Sequence, residues 1–510
     1  MILLSVIREA DVVVVGAGNA AMCAAFAARD AGASVIVLER APEAECGGNS
    51  AFTGGATRFA FRNVDEVREV LDLTEDEVAI TDFGTYTEEE FLEDMGRCTQ
   101  YRCDPDLTEI FVRESRATLA WMKSKGVRFD PMWARQSQKI DGRIKFYAGL
   151  ICATWGAGQG LVESLHKIAK KNAIPVLYET AATGLIREDG AVRGVVAETN
   201  GEPIRIGARA VVLACGGFES NAEMRARYLG PNWDLAKVRG TRFNMGDGIR
   251  MALDAGAMPF GHWSGAHAVG WDMNAPPFGE REIGDLFQKH SYPYGIMVNA
   301  NGERFVDEGA DFRNFTYAKY GVEVLKQPGM FAWQIFDSKV NHLLRHEYQI
   351  KKITKAEAPT LEGLVEKLEG VNTARCLETI AQYNKAVRQD VPFNPVVLDG
   401  RGTAGLAVPK SNWANVLDTP PFHAYAVTCG ITFTFGGVRV SPGAAVQSVA
   451  GRDIPGLYAA GEMVGGLFYF NYPSGTGLVS GAVFGRIAGT QAGKHAREHA
   501  KRSGVSEERR

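Results

Sequence analysis

Gly16, Gly18 and Ala21 close a run of β-branched residues and open an alanine-rich stretch, and a carboxylate, Glu39, stands about twenty residues on. That spacing suits a dinucleotide. Gly16 permits a tight turn, Gly18 lets backbone approach a pyrophosphate, and the third position must be small so that helix and strand can pack. Asn19 and Ala20 then sit at a helix start whose free N–H groups and positive dipole end favour phosphate. Glu39 can accept both hydroxyls of a ribose, with Arg40 beside it. A Gly/Ala turn alone is common in α/β proteins. Here it is framed by a strand over Asp11 to Val15, a helix ending at Gly32 and a second strand over Val35 to Leu38.

FAD rather than NAD is favoured by the glycine-dense segment that follows, Cys46-Gly47-Gly48-Asn49-Ser50 and then Thr53-Gly54-Gly55. Such a chain can lie flat along a pyrophosphate and ribityl chain, with Ser50 and Thr53 as hydrogen-bond donors. Two later segments agree. Ala214-Cys215-Gly216-Gly217 ends one buried strand, and Gly461-Glu462 ends another, placing Glu462 near a ribityl hydroxyl. Thr476, Gly477 and Leu478 open a small-residue helix whose N-terminus can approach the flavin pyrimidine edge and stabilise a reduced anion. Ala182 completes the cofactor-binding set. The glycine face of that helix, Gly477, Gly481, Gly485 and Gly489, could instead pack on another helix, but approach to the flavin is the preferred role.

These segments need elements to carry them. A helix is expected over Asp106 to Lys125 and another from about Gly160 to Lys171. Turns at Asp189-Gly190 and Asn200-Gly201 then predict a hairpin ladder that ends in the buried run Ala210 to Ala214. From about His262 to Gly430 aromatics, prolines and histidines cluster, and no nucleotide signature appears. The expected division is 9–261 for the first part of an FAD-binding domain, 262–430 for an inserted cap, 431–494 for the second part of the FAD-binding domain, and 495–510 for a charged, solvated tail. No internal repeat is apparent.

Bulk properties exclude other classes. The 510 residues are 45% hydrophobic and 23% charged with a formal net charge of -4, which gives no basic field for nucleic acid. Eight cysteines without metal-site or haem spacing read as reduced, mostly buried thiols, and no metal is expected. The opening MILLSVIREA is no signal peptide, and no run approaches the roughly 20 apolar residues of a membrane span, so a cytoplasmic location is expected.

Taken together, GAGNAA, Glu39, GGNS, ACGGF, LYAAGE and GLVSGAVFGRIAG resemble the fumarate reductase/succinate dehydrogenase flavoprotein family from about residue 10 to 494. Within it, GHWSGAHAVGWD, GERFVDEGADFRNFTYAKYG and FYFNYPSGTGL are most similar to the tricarballylate dehydrogenase branch. The resemblance implies an α/β fold: a Rossmann-like, glutathione reductase-like FAD-binding domain with an inserted α+β capping domain over the flavin. It implies that Arg313 shuttles a proton, that His267, with His262 as the alternative, takes the place of a first substrate histidine, and that His290, Thr434, Ser474 and Gly475 border the substrate. A guanidinium is charged in water and donates a proton more readily than it accepts one, so dehydrogenation needs a relay. Each lone histidine has a plain structural reading as well. Arg281, Lys289 and Arg304 could balance extra carboxylates but are by default surface charges.

Two departures narrow the substrate. Where the family has paired histidines this chain reads Ile431-Thr432-Phe433-Thr434, and where it has an arginine after an asparagine this chain has Tyr472, so a bidentate carboxylate clamp gives way to a phenol. The expected reaction is hydride transfer from a small polycarboxylate to flavin N5, most closely tricarballylate to cis-aconitate, with Arg313, His267 and Tyr472 catalytic. The alternatives are a 3-ketosteroid-type dehydrogenase, which Tyr472 suggests and Phe312 beside Arg313 disfavours, a fumarate reductase-like ene-reductase, and a non-catalytic flavin-binding redox subunit. With no histidine before position 166, FAD is expected to be noncovalent. Electrons would leave to an external acceptor such as a membrane electron-transfer protein or a quinone.

Overall fold

The computed structural model describes residues 6–133, 137–146 and 149–502. The β-branched run is longer than its sequence signal: the strand is Val6–Val15, with Val12, Val13 and Val14 wholly buried. It lies parallel to Val35–Leu38 on one side and Glu202–Leu213 on the other, and the helix Asn19–Asp30 makes the crossover. Burial on both sides is what a parallel sheet requires of such valine-rich strands. The first five residues lie outside the described ones, so the reading of the opening segment is only partly covered.

The hairpin ladder is present as Thr180–Glu188, Ala191–Thr199 and Glu202–Leu213, with positive φ at Asp189, Gly190, Asn200 and Gly201. Its last strand continues into the parallel core, where it also pairs with Asp453–Ala459. Ladder and dinucleotide unit therefore share one backbone, and the sheet has eight strands. Asp104 caps the helix Pro105–Lys125, and Gly126, at φ +117°, ends it.

The final helix, Thr476–Arg502, corrects one expectation and divides another. The composition from 495 predicts a solvated tail, yet the helix continues, with Ala496 buried and Arg497 donating to Ala31 O at 3.2 Å. Ala, Lys, Arg and Glu are good helix formers, so a low apolar content there does not end the helix. Residues 503–510 lie outside the described ones. A Cβ on Gly485 would come 2.4 Å from Ala20 O and one on Gly489 2.0 Å from Ala24 O, so this half of the glycine face packs against Asn19–Asp30. Gly477 and Gly481 border the central cleft instead. The packing role of the glycine face is thus taken at Gly485 and Gly489.

A second, six-stranded sheet is built on Phe422–Val438, which pairs with Pro259–Asp272, Phe331–Phe336, Lys355–Ala358 and Lys237–Val238; Ile296–Val298 completes it beyond Phe331–Phe336. Together with Thr373–Ala386, part of it encloses its own core around Ile296, Ile335, Leu364 and Tyr383. The divisions at 261/262 and 430/431 fall inside the two long strands rather than in linkers. Among the described residues no helix is long and apolar enough to cross a membrane.

Candidate active site

A single cleft enclosing roughly 1900 Å³ of atom-free space, partly open to solvent, runs from the first βα turn to the second sheet. At one end lie Gly16, Gly18, Asn19 and Ala20. Gly16 holds φ +104°, and a Cβ there would come 2.5 Å from Ala214 O, so only glycine fits. Gly18 caps the helix without a side-chain bond, and no acidic residue occupies the first turn, which keeps the positive end open to an anion. Ser50 Oγ accepts from Asn19 N at 3.0 Å and so ties the Gly47–Ser50 loop to the helix start.

Glu39 is buried at the end of its strand. Burial raises its carboxyl above the ordinary range, opposed by backbone N–H groups including that of Ala41, which donates at 2.9 Å. Arg40 lines the cleft and pairs with Asp247. Deeper in, two carboxyls face each other. Burial and mutual repulsion push Glu219 well above the ordinary range, and burial raises Glu462. Glu219 Oε1 accepts from Asn49 Nδ2 at 2.6 Å, and Glu462 Oε1 accepts from Thr434 N at 2.6 Å. Two adjacent buried carboxyls cannot both ionise cheaply, so the pair holds a proton.

The other end is lined by Arg239, His267, Arg313, Tyr317, Arg345 and Tyr472. Its geometry follows from the long strands. In their pairing His267 faces Phe433, between register shifts at His262/Ala266 and His267/Ala268, and such bulges re-aim side chains. A 3₁₀ turn, Arg313–Phe315, precedes the helix Tyr317–Leu325, and the Arg313 guanidinium lies 5.3 Å from the Tyr317 ring centre. The same turn holds the tyrosine segment: Asn471 Nδ2 donates to Phe315 O at 2.6 Å and Ser474 N to Asn314 O at 3.0 Å. Tyr317 and Tyr472 are joined through their hydroxyls. The His267 ring lies 5.1 Å from that of Tyr317 and 4.7 Å from that of Tyr472, and neither of its ring nitrogens has a hydrogen-bond partner among the described residues. Burial, reinforced by Arg239, holds His267 well below its usual range, so it is a neutral imidazole.

A family pattern described as an FAD binding domain matches residues 11–478. The chain belongs to that family. A probable fumarate reductase of Shewanella frigidimarina is 31% identical over 92% of this chain and 72% of its own length. A 3-oxosteroid 1-dehydrogenase of Mycobacterium tuberculosis is 26% identical over 93% of this chain and 96% of its own. The open conformation of a flavocytochrome c3 fumarate reductase is similar in structure, with a TM-score of 0.72 at 27% identity, covering 96% of this chain and 79% of that one. The chain is an FAD-dependent oxidoreductase of the fumarate reductase family.

In this FAD-binding protein the anticipated cofactor residues Gly16, Gly18, Asn19, Ala20, Glu39, Arg40, Gly47 to Ser50, Thr53, Gly54, Ala182, Ala214, Gly216, Gly461, Glu462, Gly477 and Leu478 all border the cleft. Ala21, Gly55, Gly217 and Thr476 lie behind its surface. A Cβ on Gly217 would come 2.1 Å from Glu462 Oε1, so this glycine shapes the carboxyl pair, and Thr476 Oγ1 donates to Pro473 O at 2.7 Å. Thr434, Ser474 and Gly475 border the cleft with the three anticipated catalytic residues. His262 does not: it stacks on Tyr469, and its Nδ1 accepts from Phe470 N at 3.1 Å. His290 is buried with its ring 4.9 Å from that of Tyr317, outside the lining.

Lys289 and Arg304 are not surface charges. Lys289 is wholly buried, caps three carbonyls and is lowered by burial to about 8. Arg304 is paired with Glu308. Arg281 donates to Cys46 O. None of the three borders the cleft. Arg239, Arg345 and Glu219 had no signal in the sequence.

Proposed function

We propose that the chain oxidises or reduces a C–C bond flanked by carboxylates in a small polycarboxylate, with tricarballylate to cis-aconitate as the favoured reaction. The observation that carries this is one continuous cleft bordered by the Gly16–Ala20 phosphate cradle and by Arg313, Tyr472 and His267. The 262–430 segment acts as the lid, bringing Arg313 to the substrate. FAD, held noncovalently, supplies the two-electron exchange when bound. Arg313 fixes a substrate carboxylate and carries the proton, and the neutral His267 beside the tyrosine pair gives the relay that a guanidinium alone lacks. Electrons pass to an external acceptor, a membrane electron-transfer protein or a quinone.

Anaerobic mixing of the holoprotein with tricarballylate, succinate and a 3-ketosteroid tests the reading. Loss of visible flavin absorbance is expected with tricarballylate first, and no loss with any polycarboxylate overturns it. The steroid reading is favoured by one observation, the paired hydroxyls of Tyr317 and Tyr472, and predicts the opposite order. Arg313→Ala separates an enzyme from a redox subunit: FAD retained with turnover lost by at least ~100-fold supports catalysis, whereas a wild type inert toward every substrate supports the subunit.

A further inference from the structure

Arg239 is built into the cleft by backbone pairing. It follows the short edge strand Lys237–Val238, which runs parallel to Gly430–Ile431, and its own N–H donates to Ile431 O at 2.8 Å. The residue is 7% exposed, and its side chain borders the cleft. An arginine offers five N–H donors in a planar fork. This one uses few of them: one terminal nitrogen donates to Thr432 Oγ1 at 3.3 Å, the other lies 3.8 Å from Asp285 Oδ2, and Nε has no hydrogen-bond partner among the described residues. Asp285 Oδ2 also accepts from Gln288 Nε2 at 2.8 Å. The charge is balanced, while the directional capacity of the fork is left unused at the cleft wall. Unmet buried donors are costly, and a planar carboxylate is the partner whose geometry matches a guanidinium.

We propose that Arg239 is a specificity-determining residue that grips one substrate carboxylate, as a second anion point distinct from Arg313, so that the site selects substrates with several carboxylates over those with one. The two guanidiniums come from different elements, Arg239 from the edge of the second sheet and Arg313 from the turn before Tyr317–Leu325, and both act on Tyr472 electrostatically. A substrate carrying carboxylates at both ends of a short chain would be held at two points, which fixes the orientation of the bond between them. This rests on the polycarboxylate reading above.

The test is an anaerobic titration of holoprotein whose FAD has first been chemically reduced, so that it can take no hydride from tricarballylate, succinate or propionate, read as the perturbation of the bound-flavin spectrum, for wild type, Arg239→Met and Arg239→Lys. FAD content is measured in each. With FAD retained, Arg239→Met should weaken tricarballylate binding by about tenfold to a hundredfold, Arg239→Lys should fall between, and propionate should change little. Equal affinities in wild type and Arg239→Met overturn the proposal. Loss of FAD and of folding in both variants also overturns it, because Arg239 is then a structural partner of Asp285. A wild type whose spectrum no polycarboxylate perturbs overturns the polycarboxylate reading itself, a different result from unchanged affinities.

Discussion

The hydroxyls of Tyr317 and Tyr472 are hydrogen-bonded to each other, although 155 residues separate them in the chain. One comes from the first turn of a helix in the second layer and the other from the loop before the last helix of the FAD-binding layer. Burial first, and then Tyr317, push the Tyr472 phenol well above its usual range, so it remains protonated and able to donate. Two hydroxyls in one bond act as a unit. Tyr472→Phe and Tyr317→Phe should each lower kcat by about 10²-fold with FAD content unchanged, and the double variant should lose scarcely more than either single one. Additive losses in steady-state kinetics would refute the coupling.

Replacing Gly16 with alanine should prevent cofactor uptake. The new Cβ would meet the Ala214 carbonyl at 2.5 Å on a backbone at φ +104°. Flavin-to-protein absorbance ratios on the purified variant check this, and full occupancy would contradict the tight turn.

Acid should loosen the protein through two histidines. Burial first, then Arg239, hold His267 well below its usual range, and burial with Arg313, Arg345 and Arg239 does the same to His290. In the unfolded chain both titrate near about 6.5. As pH falls through that value the unfolded state takes up protons that the folded state refuses, so stability falls, by up to about 1.4 kcal/mol per pH unit for each histidine. Melting temperature should drop from pH 7 to 5, and His290→Asn should make the slope shallower.

The carboxyl pair has the opposite sign. Glu219 keeps its proton above the ordinary carboxylate range, so its contribution to stability is present in full at low pH and is lost as pH rises toward its raised value. Glu219→Gln should flatten that limb of the melting profile while leaving the histidine limb in place. An unchanged profile would mean that the pair shares no proton.

How much of this is legible in the sequence depends on whether a function is carried by neighbouring residues. A phosphate cradle needs consecutive backbone N–H groups, so Gly16 to Ala20 announce it within a few positions. The other end of the cleft draws on residues 239, 267, 313, 317, 345, 432–434 and 472, which only the fold brings together. Arg239 looks like any surface charge until the pairing of Val238 with Ile431 turns it inward. Lys289 and Arg304 mislead for the same reason, because the carbonyls and the carboxylate that accept them are settled by folding. His262 stands near the expected position, yet the register shift before Ala266 leaves it stacked on Tyr469 instead of bordering the cleft.

The strands Pro259–Asp272 and Phe422–Val438 run across the expected divisions at 261/262 and 430/431 and stay paired along most of their length, apart from the register shifts beside His262 and His267. A ladder of that kind cannot be half melted at its middle without exposing backbone groups on both sides. Calorimetry on the holoprotein should therefore give a single endotherm, with the residues on the two sides of those divisions behaving as one cooperative unit.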